Sequence, residues 1–179
     1  MLKPNNSWTW YYDSKHDSLM LDLGDDMIFR VSIPPKHLIT SAYDRTDFTV
    51  DDASVFQTFV ESIAGLDLSE PRKAELALNA VAASRFHKPM MPKSWFFHTQ
   101  GEGCEPQEAD IVTLETDAGM AKFLVIENSG CASLCMLAET SSLALTSTKS
   151  MAFCDTIKVM NDRMQAYVVE SSVNLALVG

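Results

Sequence analysis

Four histidines, His16, His37, His87 and His98, and four cysteines, Cys104, Cys131, Cys135 and Cys154, are the side chains of this chain best suited to metal or acid–base chemistry. None sits in an HxxxH or CxxC spacing, so no zinc site is expected. Cys131 and Cys135 are four apart, which on a strand puts both on one face as small buried thiols. His16-Asp17-Ser18 holds the residue types of a catalytic triad. Adjacent residues on a turn cannot converge as a triad does, so a solvated turn is the expectation. Gly101-Glu102-Gly103 is a lone GxG without the strand and helix that would make it a phosphate cradle. Asp25-Asp26 and Asp51-Asp52 suit a turn and a helix cap better than a calcium site. The ten methionines are scattered, as core filling is. No catalytic residue, metal or cofactor is therefore expected, and the chain reads as a non-enzyme.

The elements that would carry these residues fall into two parts. Trp8 to Tyr12, Leu19 to Leu23 and Met27 to Ile33 read as strands of an antiparallel meander, separated by polar turns and ended by Pro34-Pro35. In the second run Leu19, Leu21 and Leu23 alternate with Met20 and Asp22. Two helices follow. The first is capped by Asp51 or Asp52, has Val55, Phe56, Phe59, Val60 and Ile63 on one face, and leaves through Gly65. The second is capped by Ser69 and ends before Pro89. Beyond Trp95 only strand-like runs recur: 94–99, 111–116, 121–127, 132–138, 143–146, 153–160 and 166–173. Such spacing suggests a small closed barrel. The expected class is α+β: an α/β part over residues 1–92 packed on an antiparallel β-barrel-like part over residues 93–179.

Charge narrows the partners. The 179 residues carry a net charge of −10, which disfavours nucleic acid and anionic membrane. No run is long and apolar enough to span a bilayer, and the N-terminus lacks the apolar core of a signal peptide. With free thiols, this points to the cytoplasm. Residues 99–179 hold 4 basic against 11 acidic side chains. Against that background Arg85-Phe86-His87-Lys88-Pro89-Met90-Met91-Pro92-Lys93-Ser94-Trp95 contains three fixed cations and no acid. It is either a docking surface for an acidic partner or a solvated helix end. Lys158 and Arg163 flank the other cationic spot, around Asn161-Asp162.

Several stretches, in this order, resemble the ZapC family of bacterial cell-division proteins: Trp8 to Asp13 with His16-Asp17, Leu21-Asp22-Leu23, Phe29-Arg30, Val50 to Ala53, Lys73 to Leu76 with Leu78 to Ala80, Lys88-Pro89, Met91 to Trp95 and Ile157 to Arg163. The resemblance implies a protein that binds filaments of the tubulin-like GTPase FtsZ, promotes their lateral association and joins the division ring at midcell. It also implies an α/β first part, a barrel-like second part, an apolar contact that includes Leu21, and a basic contact made by Lys88, Lys93 and Arg163. A monomer is expected. The alternative reading is a small-molecule-binding β-barrel or an enzyme that uses its cavity.

Overall fold

The computed structural model describes residues 2–101 and 105–167. Strands β1 (Thr9–Asp13), β2 (Ser18–Gly24) and β3 (Met27–Arg30) form the expected meander. A fourth strand that sequence alone does not reveal, β4 (Thr46–Asp47), pairs with the free edge of β1, giving the order β3-β2-β1-β4. β3 stops at Arg30, three residues short of the expected end. Register places Trp10 opposite Leu21 and Leu21 opposite Phe29.

Helix α1 runs Val50–Ile63. Its cap is Thr49, not either aspartate: the Asp52 amide donates to the Thr49 hydroxyl and the Thr49 amide to the Asp52 carboxylate, a reciprocal capping box. Asp52 is buried because it also accepts from the Trp10 indole N–H (3.1 Å) and from Arg85 (2.5 Å). Gly65 is not in the left-handed conformation, and the helix leaves through a right-handed Ala64. Helix α2 (Glu70–Phe86) is capped by Ser69 as expected.

α2 is apolar nearly all round, from Leu76 to Ala83 and again at Phe86. A helix of that kind needs partners on more than one side. It has them in α1 and the meander, and in a second sheet. That sheet comprises β5 (Ile111–Thr116), β6 (Gly119–Asn128) and β7 (Ala132–Leu137). A hairpin of two-residue strands follows, β8 (Leu143–Ala144) with β9 (Ser150–Met151), and then β10 (Thr156–Met160) and β11 (Gln165–Ala166). The order is β10-β7-β6-β5-β11.

Strand alternation makes this sheet the middle layer. Leu124, Ile126, Leu134 and Met136 join the core that contains α2 and the meander. Phe123, Val125, Cys135 and Leu137 face the other way, into a second core closed by Leu143, Met151 and Phe97. β7 is buried at every position because both its faces are covered.

The fold is thus α+β, but the expected barrel does not close among the described residues: β10 and β11 are the two ends of an open sheet. Both of its faces are filled by side chains. The 94–99 run is also not a strand. Ser94–Phe96 is a turn of 3₁₀ helix whose Ser94 hydroxyl accepts from the Met160 amide, tying it beside β10. Of the expected run 166–173, residues 168–173 lie outside the described residues.

Candidate functional site: a basic groove between the two halves

Beyond the end of β3 at Arg30, Pro34 and Pro35 start a 3₁₀ turn over Pro35–His37. The chain then runs beside the end of α2. The Ile39 amide donates to the Phe86 carbonyl (2.8 Å), and the Lys88 amide to the His37 carbonyl (2.7 Å). Pro89 and Pro92 keep the next residues out of helix, and the Lys93 amide donates to the Lys158 carbonyl on β10 (2.8 Å). Three chain segments distant in sequence thereby meet along one seam.

Two cavities open there. The larger, of about 480 Å³, is lined by Lys36, His37, Lys93 and Lys149, with Asp155 as its acid and Met90, Phe96 and Ile157 among its apolar walls. The smaller, of about 190 Å³, is lined by His87, Lys88, Met90 and Lys158, with Glu127 as its acid. Met90 belongs to both. Five lysines therefore face two carboxylates along one groove, and all but Lys158 are exposed. Lys149 lies over the Phe96 ring at 5.9 Å. In a chain of net charge −10 this is a local inversion of sign.

The two histidines of the groove are stacked, ring centroids 5.5 Å apart. Burial holds His37 below the ordinary histidine range, helped by His87, Lys36, Lys93 and Lys88 around it. Burial also lowers His87, against the opposing effect of its bond to the Lys88 carbonyl and of Glu127. His87 Nδ1 donates to that carbonyl (2.7 Å), which leaves Nε2 to accept from the Thr156 hydroxyl (2.8 Å). His37 Nδ1 is buried without a partner.

Of the residues assigned from the resemblance, Lys88 and Lys93 come together around His37. Arg163 lines neither cavity. It is partly buried and paired with Asp162 (2.5 Å), so its charge is largely offset. Arg85, part of the same basic run in sequence, turns away to Asp52. Leu21 is 0% exposed and lies in the main core. Its neighbour Phe29 lines an apolar cavity of about 470 Å³ with Leu2, Leu23, Met27, Ile28 and Leu78, where Met27 and Ile28 are exposed. Lys36 and Lys149 were not legible as members of the site. Their only sequence signal is a charge beside Pro34-Pro35 and one within a polar turn, and neither predicts that they meet.

The remaining candidates have structural roles. His16 pairs with Asp13 (2.6 Å), and the Ser18 hydroxyl donates to the His16 carbonyl, a hydrogen-bonded turn between β1 and β2. His98 is held between Asp117 and Glu115, which raise its proton affinity. Cys135 and Cys154 are buried free thiols, pushed up by burial. Cys131 is exposed and precedes β7, so it does not share a strand face with Cys135. Cys104 and the Gly101-Glu102-Gly103 reading fall on or beside residues 102–104, outside the described residues. Among the described residues no three His, Cys, Asp or Glu side chains converge for a metal ion, and no helix is long and apolar enough to cross a membrane.

The family described as "Cell-division protein ZapC, N-terminal" matches residues 1–88, and "Cell-division protein ZapC, C-terminal" matches residues 89–170. The chain is similar to the "Cell division protein ZapC" of Photobacterium profundum, 69% identical over 100% of both chains, and to that of Aliivibrio salmonicida, 60% identical over 100% of both. It is 49% identical to the Vibrio cholerae protein of the same name over 92% of this chain and 91% of the relative. The chain belongs to the ZapC family of cell-division proteins.

Proposed function

We propose that this chain is a non-enzymatic protein that binds FtsZ filaments through the basic groove, promotes their lateral association, and acts in the cytoplasm at the midcell division ring as a monomer without a cofactor. The supporting observation is the convergence of Lys36, Lys88, Lys93, Lys149 and Lys158 in a chain of net charge −10. In this reading the filament, like this chain, is acidic; two such partners would repel at long range, so a concentrated cationic spot is what would orient the encounter. Lys88 and Lys93 make the direct contact in this reading. Arg163 contributes less, because Asp162 already pairs with it. Leu21 acts indirectly, by holding Phe29 in the wall of the apolar cavity. We place the boundary of the two parts at residue 92, within the proline-flanked segment that crosses the groove. Neither nucleic acid nor membrane is a partner in this reading.

The test is charge reversal. The triple variant Lys36→Glu, Lys93→Glu, Lys149→Glu replaces exposed side chains and is expected to fold. Its co-sedimentation with FtsZ filaments should weaken at least about tenfold, a loss of roughly 1.4 kcal/mol. Lys88→Glu alone should weaken it less. Parent binding should fall as salt rises from about 50 to about 300 mM. Parent-like binding by the reversals at every salt concentration would place the contact elsewhere. The purified protein is also expected to hydrolyse neither GTP nor ATP, since the sequence has no phosphate-cradling loop. Turnover that persists through further purification would overturn the non-enzymatic reading.

A further inference from the structure

The basic groove contains more than fixed charge. His37 lines the larger cavity, His87 the smaller, and the two rings stack between them. The hydrogen bonds of His87 define the atom at which it would take a proton. His87 Nδ1 already donates to the Lys88 carbonyl, so Nε2 is the basic nitrogen, at present accepting from Thr156. A proton there reverses that bond, with the hydroxyl becoming the acceptor. His37 has one buried nitrogen with no partner at all.

The surroundings decide when these protons arrive. His37 faces Lys36 on its own turn, Lys88 and Lys93 on the segment after α2, and His87. Across the larger cavity stand Lys149 and Asp155. His87 faces Glu127 on β6 and Lys158 on β10. Burial is the main cause that holds both rings below the ordinary histidine range; the cations around His37 add to it, whereas Glu127 and the Lys88 carbonyl oppose it at His87. Carboxylates entering the groove would pair with the lysines and set negative charge beside both rings, which favours their charged forms against the cost of burial.

We propose that occupation of this groove by carboxylates is coupled to proton uptake by the stacked His37–His87 pair, so that acidic partners bind more tightly as the pH falls. By reciprocity, a bound acidic segment draws protons onto the pair. The inference rests on the groove being the docking surface for an acidic partner.

The experiment is a nuclear magnetic resonance titration of the full chain, labelled with ¹⁵N throughout, against a hexaglutamate peptide at pH about 8 and about 6. Peptide glutamates stay largely ionised in this range, as their ordinary pKa is about 4.3. Backbone amides of Lys36, Lys93 and Lys149 report binding, and the imidazole ¹⁵N resonances of His37 and His87 report protonation. The expected result is about tenfold tighter binding at the lower pH, with at least one imidazole moving to its charged form as peptide is added. In His37→Gln, and in His37→Gln with His87→Gln, the ratio of the affinities at the two pH values should shrink from about tenfold to about twofold. The single variant keeps the test available if the double variant does not fold. Peptide binding at the lysine amides with both imidazoles unchanged would overturn the proton coupling and leave the groove standing. No amide response at either pH would overturn both.

Discussion

Leu21→Ser is expected to lower the stability of the fold by about 3–5 kcal/mol, seen as a fall in the urea midpoint with little change in slope. Leu21 is 0% exposed, with Trp10 opposite it on β1 and Phe29 on β3. Serine there leaves a cavity in the central strand of the meander and buries a hydroxyl among apolar groups. Any loss of FtsZ binding by this variant should therefore track the unfolded fraction and recover at low temperature or with a compensating stabilisation. Met27→Ser and Ile28→Ser, at exposed positions beside the same apolar cavity, should leave the urea midpoint within about 0.5 kcal/mol of the parent. Comparing binding by these variants separates an apolar docking role of the cavity from a packing role of Leu21. A Leu21→Ser protein of parent stability that binds FtsZ poorly would show that Leu21 touches the partner directly.

Asp52→Ala should cost about 3–4 kcal/mol, measured in the same way. One carboxylate does three things here. It closes the capping box with Thr49, accepts the indole N–H of the fully buried Trp10, and neutralises Arg85, itself bound to the Asp47 carbonyl and the Thr46 hydroxyl. Losing the Asp52 half of the capping box leaves the Thr49 amide without its acceptor and costs about 1 kcal/mol. The rest comes from an orphaned indole donor and a half-buried guanidinium without its counter-charge. Asp52→Asn keeps an acceptor for the cap and for Trp10 but loses the charge, so it should cost less, about 1–2 kcal/mol. Equal costs for the two variants would mean that the ion pair dominates. A cost under about 1 kcal/mol for Asp52→Ala would mean that water replaces the carboxylate without difficulty.

The parts of the fold legible in the sequence are those governed by local chemistry. The Leu19-Leu21-Leu23 alternation, the Ser69 cap and the proline after α2 each act within a few residues, and the structure follows them. Ile111 to Thr116 is a strand with the same bounds as its sequence pattern. The misreadings come where a distant partner overrides the local preference. Asp52 looks like a cap residue but is drawn inward by Trp10 and Arg85, so Thr49 takes the cap. The Trp95-Phe96-Phe97 run has strand composition, yet Ser94 is claimed by the Met160 amide and Phe97 by the second core, which favours a 3₁₀ turn. β4 is two residues long and exists only because β1 offers a free edge.

The candidate site divides in the same way. By itself the sequence determined the class of the protein: an acidic α+β chain, poor in convergent catalytic groups, with one basic run interrupted by prolines and a set of stretches matching the ZapC family. It also determined that Lys88 and Lys93 stay near each other, since only four residues, two of them prolines, separate them. Only the tertiary structure decided which other charges join them. Lys36, Lys149 and Lys158 arrive from segments far away along the chain, while Arg85 is removed by Asp52 and Arg163 is offset by Asp162. Tertiary packing likewise put Leu21 in the core and left Met27 and Ile28 at the surface. The physical reason is range. Turn geometry, capping and alternation act over a few residues, whereas the sign of a surface and the burial of a side chain depend on every segment that folds against it.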